Sequence, residues 1–233
     1  MTKKLSLLIL LSVSSMLTVH EFWIEPQKFN LKRGETLKLN FKVGDHYQGD
    51  NWNGNRSSVN NLHLYFNKIE DDLAPLLSDE NSGDSLSLQF FDEGTGLICY
   101  QSFNDSTDKE YVQESVKTIF QVGSAMDDTY KTNCSLPLEF IPLQHPYHLR
   151  KGQHLKFRLL LFNEPHKSSL VKLWHKMNGK VTMEELTTDE DGIVDFTPTL
   201  NGRYMVSAIA MQRIDTSSST NWQSYWSSLT WGY

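Results

Sequence analysis

Histidine is the residue type with most chemistry to offer in this 233-residue chain, which carries eight of them. Imidazole is the commonest side chain for borderline divalent metals, and it coordinates through a deprotonated ring nitrogen. His46 stands between Asp45 and Asp50, either of which could ligate an ion or orient the ring. His20 is followed by Glu21, a further oxygen donor, and Met211 would add a softer ligand for a copper-like ion. The plain alternative makes His46 an ordinary loop residue and His20 the cap of a first strand, because spacing alone fixes no coordination shell. His145, His148 and His154 gather around predicted turns and are assigned to the surface. His63, His166 and His175 are isolated and read as structural.

Catalytic signatures are missing from the sequence. It contains no Gly-x-Ser-x-Gly elbow, no His-Glu-x-x-His helix and no Cys-x-x-Cys pair. Ser169 and Lys172 match a Ser-x-x-Lys string without its companion motifs, in strand-like surroundings. Asp189-Glu190-Asp191-Gly192 opens like a calcium loop, but the later ligand positions and closing Glu do not follow, so a turn explains it better. The aromatics Trp222, Tyr225, Trp226 and Trp231 could stack against a sugar, although plain packing is the commoner fate of Trp. Binding rather than catalysis is the expectation.

The elements that must position these groups read as strands. Thr36 to Val43 alternates polar and apolar residues between Gly34 and Gly44, and Asn61–Phe66, Ser85–Phe91 and His154–Phe162 do the same. Only Asp108 to Phe120 carries a helical pattern, and it could equally be a loop feeding a strand. Thr187 to Phe196 reads as a hairpin turning at Asp191-Gly192, and Asn201-Gly202 makes a further turn before Arg203 to Ile209. Short strands at this spacing predict an all-β chain of sandwich type. A boundary near Pro137 divides residues 20–137 from residues 138–233, the second segment opening with Leu138 to Pro142, where Pro142 suits an edge.

The first residues and the two cysteines bear on the compartment. Met1-Thr2-Lys3-Lys4 and the uncharged run Leu5 to Leu17 form a secretory leader over residues 1–19, too short for the ~20 apolar residues of a membrane span. Cleavage after Ser15 suits the small-residue rule; cleavage after Val19 would expose His20 as the N-terminus. No later run spans a bilayer, so integral membrane insertion is not expected and the product is periplasmic or secreted. Removing Lys3 and Lys4 leaves 20 basic against 28 acidic residues, a net charge near −8 that disfavours nucleic acid as a partner. Cys99 and Cys134 either remain two thiols in separate strands or, as an oxidising compartment favours, close a loop of roughly 36 residues.

Four segments carry a family resemblance. His20-Glu21-Phe22-Trp23-Ile24-Glu25-Pro26 after a leader, Gly44-Asp45-His46-Tyr47-Gln48-Gly49, Leu136 to Leu143 with Pro146-Tyr147, and Ser224 to Thr230 occur in order along the chain. Together they resemble a bacterial exported family of largely unknown function with a His-Glu-Phe-Trp start, often labelled nickel-uptake or cobalt-transporter-associated. The resemblance implies two β-sandwich modules, the second immunoglobulin- or transthyretin-like. It also implies a divalent transition metal (nickel, cobalt or copper) as ligand and a membrane transporter component as partner. Here Val19, where the family pattern has Ala, precedes His20. On this footing a metal site joins His20 and Glu21 to Asp45 and His46. The rival expectation is a carbohydrate-binding or adhesion sandwich without metal, and a weaker third is a metal-dependent oxidase built on an N-terminal His.

Overall fold

The computed structural model describes residues 20–52, 56–77, 85–107, 110–215 and 220–233; the predicted leader lies outside the described residues. The described residues are all-β: most of them lie in strands, and no helix among them reaches seven residues. In chain order the strands are β1 (Glu21–Pro26), β2 (Asn30–Leu31), β3 (Thr36–Asp45), β4 (Gln48–Asn51), β5 (Val59–Phe66), β6 (Ile69–Asp72), β7 (Ser85–Gln89), β8 (Gly94–Thr107) and β9 (Glu110–Val122). They continue with β10 (Leu138–Pro142), β11 (Leu155–Leu161), β12 (Glu164–Pro165), β13 (Leu170–Met177), β14 (Lys180–Thr187), β15 (Ile193–Phe196), β16 (Arg203–Asp215) and β17 (Thr220–Gly232).

Three sheets stack into two sandwiches that share their middle layer. The middle layer has nine strands in the order β14-β13-β16-β17-β9-β8-β5-β6, with β2 alongside β9. One outer sheet is β1-β3-β4 with β7 on β3; the other is β10-β11-β12 with β15 on β11. Side chains alternate across a strand, so β8 and β9 serve both cores. Ile98, Tyr100, Val116 and Phe120 pack with Phe22, Ile24 and Phe41 of the first outer sheet. Leu97, Cys99 and Ile119 pack with Phe140, Phe157 and Leu159 of the second.

Near residue 137 the chain leaves one set of strands and begins another, yet the halves are not separate bodies of sheet. β9 and β17 pair in parallel from Glu110↔Trp222 to Thr118↔Thr230. A parallel pair needs a long crossover between its strands, and here the whole second half supplies it.

Two local expectations are corrected. Of the segment Asp108 to Phe120, residues 108–109 lie outside the described residues and the rest is no helix: from Glu110 it is strand β9, buried continuously from Glu114 to Val122 because both faces are covered. Burial on both sides erases the period-two alternation that marks a half-buried strand. Thr187 to Phe196 is no hairpin either. The turn exists, with Gly192 at φ +71°, but β14 pairs with β13 while β15 pairs with β11 in another sheet. Asp189 holds this crossing, its Oδ1 accepting from the amides of Asp191 (2.9 Å) and Ile193 (2.8 Å).

His145 also departs from its surface assignment: it is buried. Nε2 lies 2.8 Å from Thr95 Oγ1, and Nδ1 accepts from the Tyr147 amide at 3.2 Å. Burial lowers its pKa to about 4, with His148 adding to the effect and Asp127 and Asp128 opposing it. The unfolded imidazole therefore takes a proton first as pH falls, so stability present above about 6.5 is lost on the way down to about 4. His145→Gln should remove about 2 kcal/mol of this acid sensitivity. The check is urea unfolding of both proteins at several pH values; a wild-type-minus-variant difference that stays level between pH ~6.5 and ~4 rejects it.

Candidate functional site

The strand β1 sets the site. Phe22 and Ile24 turn into the first core, so Glu21, Trp23 and Glu25 point the other way, toward β13 and β16. One edge of β1 pairs with β3. Its Phe22 and Ile24 carbonyls accept from the hydroxyls of Ser228 and Thr230 on β17, both at 2.7 Å. Farther along, Glu25 receives Arg203 Nη1 at 2.9 Å and Lys176 Nζ at 3.5 Å, which ties β1 across the sheet.

The β3–β4 turn comes next. His46 and Tyr47 both take left-handed backbone angles, φ 56° and 55°, the pattern of a two-residue turn between twisted strands. Gly44 and Gly49 face each other, and a Cβ on Gly44 would come within 2.2 Å of the Gln48 carbonyl oxygen. The close approach therefore depends on glycine. Tyr47 is fully buried edge-on to Trp23, ring centres 5.5 Å apart, and burial holds its phenol far above the ordinary pKa. His46 meets Trp174 edge-on at 5.8 Å.

The four residues expected to hold a metal thus come to one end of the first outer sheet, in three different settings. His20 Nδ1 and Asp45 Oδ1 lie 3.3 Å apart, with side chains 62% and 36% exposed. They border an open depression that also takes in Gln48, Asp50 and Trp52. His46 rests on Trp174. Glu21 turns inward, 8% exposed, and its Oε1 accepts from Trp174 Nε1 (2.9 Å) and Ser207 Oγ (2.7 Å). Desolvation raises the Glu21 pKa, against the pull of Ser207, Lys172, Trp174 and the Tyr47 amide. Met211 lies four residues beyond Ser207 on β16, roughly 13 Å along the strand, and does not join the group. Among the described residues no three His, Cys, Asp or Glu side chains are grouped closely enough to hold a metal ion.

Sequence reasoning missed Trp174, Ser207 and Lys172, the groups that fix Glu21. Nothing local announces them, since Trp174 and Ser207 lie 153 and 186 positions from the carboxylate they hold. The aromatic alternation in the terminal strand is mostly packing: Tyr225 and Trp231 are buried, and Trp222 alone of the four is exposed, at 42%.

A family model described as a domain of unknown function, DUF4198, matches residues 18–212. No curated protein matches. Among solved structures, the D0-D1 domain of intimin is 11% identical with a TM-score of 0.23, over 92% of this chain and 100% of that one. A mutant Salmonella alpha-2-macroglobulin is 13% identical with a TM-score of 0.27, over 91% of this chain and 15% of that one. The mouse nectin-like molecule 4 ectodomain is 13% identical with a TM-score of 0.22, over 88% and 62%.

Proposed function

The chain belongs to the DUF4198 family, a domain of unknown function, and from that premise we propose that it is an exported, non-enzymatic binding protein that handles a divalent transition-metal ion such as nickel, cobalt or copper. The observation that carries this reading is the pairing of His20 Nδ1 with Asp45 Oδ1 at 3.3 Å on an open surface, one residue before the His46 turn. An imidazole beside a carboxylate provides two donors of the kind such ions take. Processing that exposed His20 would add its α-amine and form a chelate with the ring; processing after Ser15 would leave only the weaker pair of side chains. Export is supported by the basic, apolar start of the sequence and by the Cys99–Cys134 disulfide. Among the described residues no helix is long and apolar enough to cross a membrane. A membrane transporter component is the partner such a carrier would serve.

Titration calorimetry with Cu(II), Ni(II) and Zn(II) tests the reading on the mature protein. His20→Ala and Asp45→Ala should each weaken the tightest of these by about ten-fold or more, with a smaller loss for His46→Ala. Affinity should also fall toward acid pH, since binding requires neutral imidazole. Full affinity in both His20→Ala and Asp45→Ala would remove the site, and no binding by the wild type would end the metal reading.

A further inference from the structure

The nine-stranded sheet ends on one side in β14, whose only strand partner among the described residues is β13. Six of its eight side chains are exposed, and Val181 and Leu186 are half-buried. It is the longest of the strands that close a sheet, and it contains no proline, glycine or bulge. At the opposite end, β6 has four residues, three of them acidic. The β13–β14 hairpin decides which backbone groups stay open. Asn178 and Gly179 both take left-handed angles, φ 50° and 77°, the two-residue turn whose flanking pair, here Met177↔Lys180, is hydrogen-bonded. Bonded and non-bonded pairs then alternate, so Lys180, Thr182, Glu184 and Leu186 turn their amides and carbonyls toward β13. Thr188 continues the series, its amide donating to the Ser169 carbonyl at 3.0 Å. Val181, Met183 and Glu185 turn theirs outward, where none has a hydrogen-bond partner among the described residues.

An open row of amides and carbonyls is a template for another strand. Charged side chains deter such pairing, and β14 carries Lys180, Glu184 and Glu185, so a partner must meet those charges in register. Two copies of one edge can pair antiparallel about a two-fold axis normal to the sheet, with one residue on the axis facing its own copy. Glu184 or Glu185 on the axis would set like charges against each other. Val181 or Leu186 there leaves only three residues of the strand facing. Met183 there puts Lys180 opposite Leu186 and Val181 opposite Glu185, which pairs no opposite charges. Thr182 on the axis is complementary from end to end: each Lys180 faces a Glu184 and each Val181 faces a Met183. Val181 and Met183 are also the residues with outward backbone groups, so both facing pairs are hydrogen-bonded ones. The same register covers Met183, otherwise 45% exposed. We propose that this edge pairs with β14 of a second copy of the chain, Thr182 at the two-fold axis, so that the middle sheet runs on through both molecules. This goes beyond metal handling and stands whether or not a metal binds, since neither His20 nor Asp45 lies on β14.

Sedimentation of the mature protein, with a chelator present to remove metal bridging, should show a dimer that grows with concentration below ~1 mM. Lys180→Glu alone, or Glu184→Lys alone, sets two like-charge pairs across the axis and should weaken association by about ten-fold or more. An equimolar mixture of the two variants should associate again, because every contact of the mixed dimer joins a lysine to a glutamate. Misfolded variants would not recover on mixing. Thr182→Cys should oxidise to a covalent dimer, its two Cα atoms about 4.5 Å apart, while Glu184→Cys should not. The proposal is overturned by a wild type that stays monomeric to ~1 mM, by full association of either charge variant, or by a mixture that associates no better than its components.

Discussion

Lys117→Met is expected to lower the unfolding free energy by about 3–5 kcal/mol, the largest single-residue effect foreseen in this chain. Lys117 is 1% exposed and Glu139 0%, and their Nζ and Oε1 atoms lie 2.6 Å apart. The ammonium also donates to the Thr132 carbonyl at 3.0 Å. Desolvation drags its pKa below the ordinary lysine value, with Glu139 pulling back. The carboxylate has two further duties: Oε1 accepts from the Cys134 amide at 2.8 Å and Oε2 from the Leu136 amide at 3.1 Å. Methionine keeps the bulk of the lysine stem but leaves this carboxylate buried without its cation. In the double variant Lys117→Met, Glu139→Gln the stranded charge disappears while an oxygen remains for an amide, so much of the loss should be recovered. A double-mutant cycle by urea unfolding measures this, and a loss below about 1 kcal/mol for Lys117→Met would contradict it.

The second large effect concerns the disulfide that joins Cys99 to Cys134, with Cα atoms 6.5 Å apart and 35 positions between them in sequence. Replacing both with alanine should cost about 4 kcal/mol, chiefly through the freedom regained by the unfolded chain. Cys99 lies in β8 inside the second core, whereas Cys134 sits in the stretch between β9 and β10 whose described structure includes only a short 3-10 turn. That stretch is held by the bridge, by the Glu139 carboxylate and by Lys117, so the two predictions should not add. Once the bridge is gone, Lys117→Met should cost measurably less than it does in the oxidised protein. Equal unfolding midpoints with and without reductant would defeat the expectation.

What could be read from the residues follows from the range of the forces involved. β3, β5, β7 and β11 showed themselves because each has one buried face, and the alternation in Thr36 to Val43 is that burial written in residue types. The strand β9 hid because it is covered on both sides. Turn chemistry was legible at Asp191-Gly192, but which strands a turn brings together is decided by pairing at a distance, and β15 chose β11. The same division holds at the site. His20 and Asp45 stand where β1 and β3 pair, and both were picked out by residue type. The inward role of Glu21 depends on Trp174 and Ser207, which only the shared middle sheet carries to it.

The parallel seam between β9 and β17 bears on how the molecule is made. Residues 220–232 emerge from the ribosome some hundred positions after their partners at 110–122, and until they arrive β9 and β16 each present an open edge. Such edges invite pairing with other chains. Contacts this distant in sequence also slow folding, because the intervening chain must be ordered first. A nascent chain stalled before residue 220 would therefore be a chaperone client, and expression of residues 20–137 alone should yield an aggregating fragment in place of a compact half.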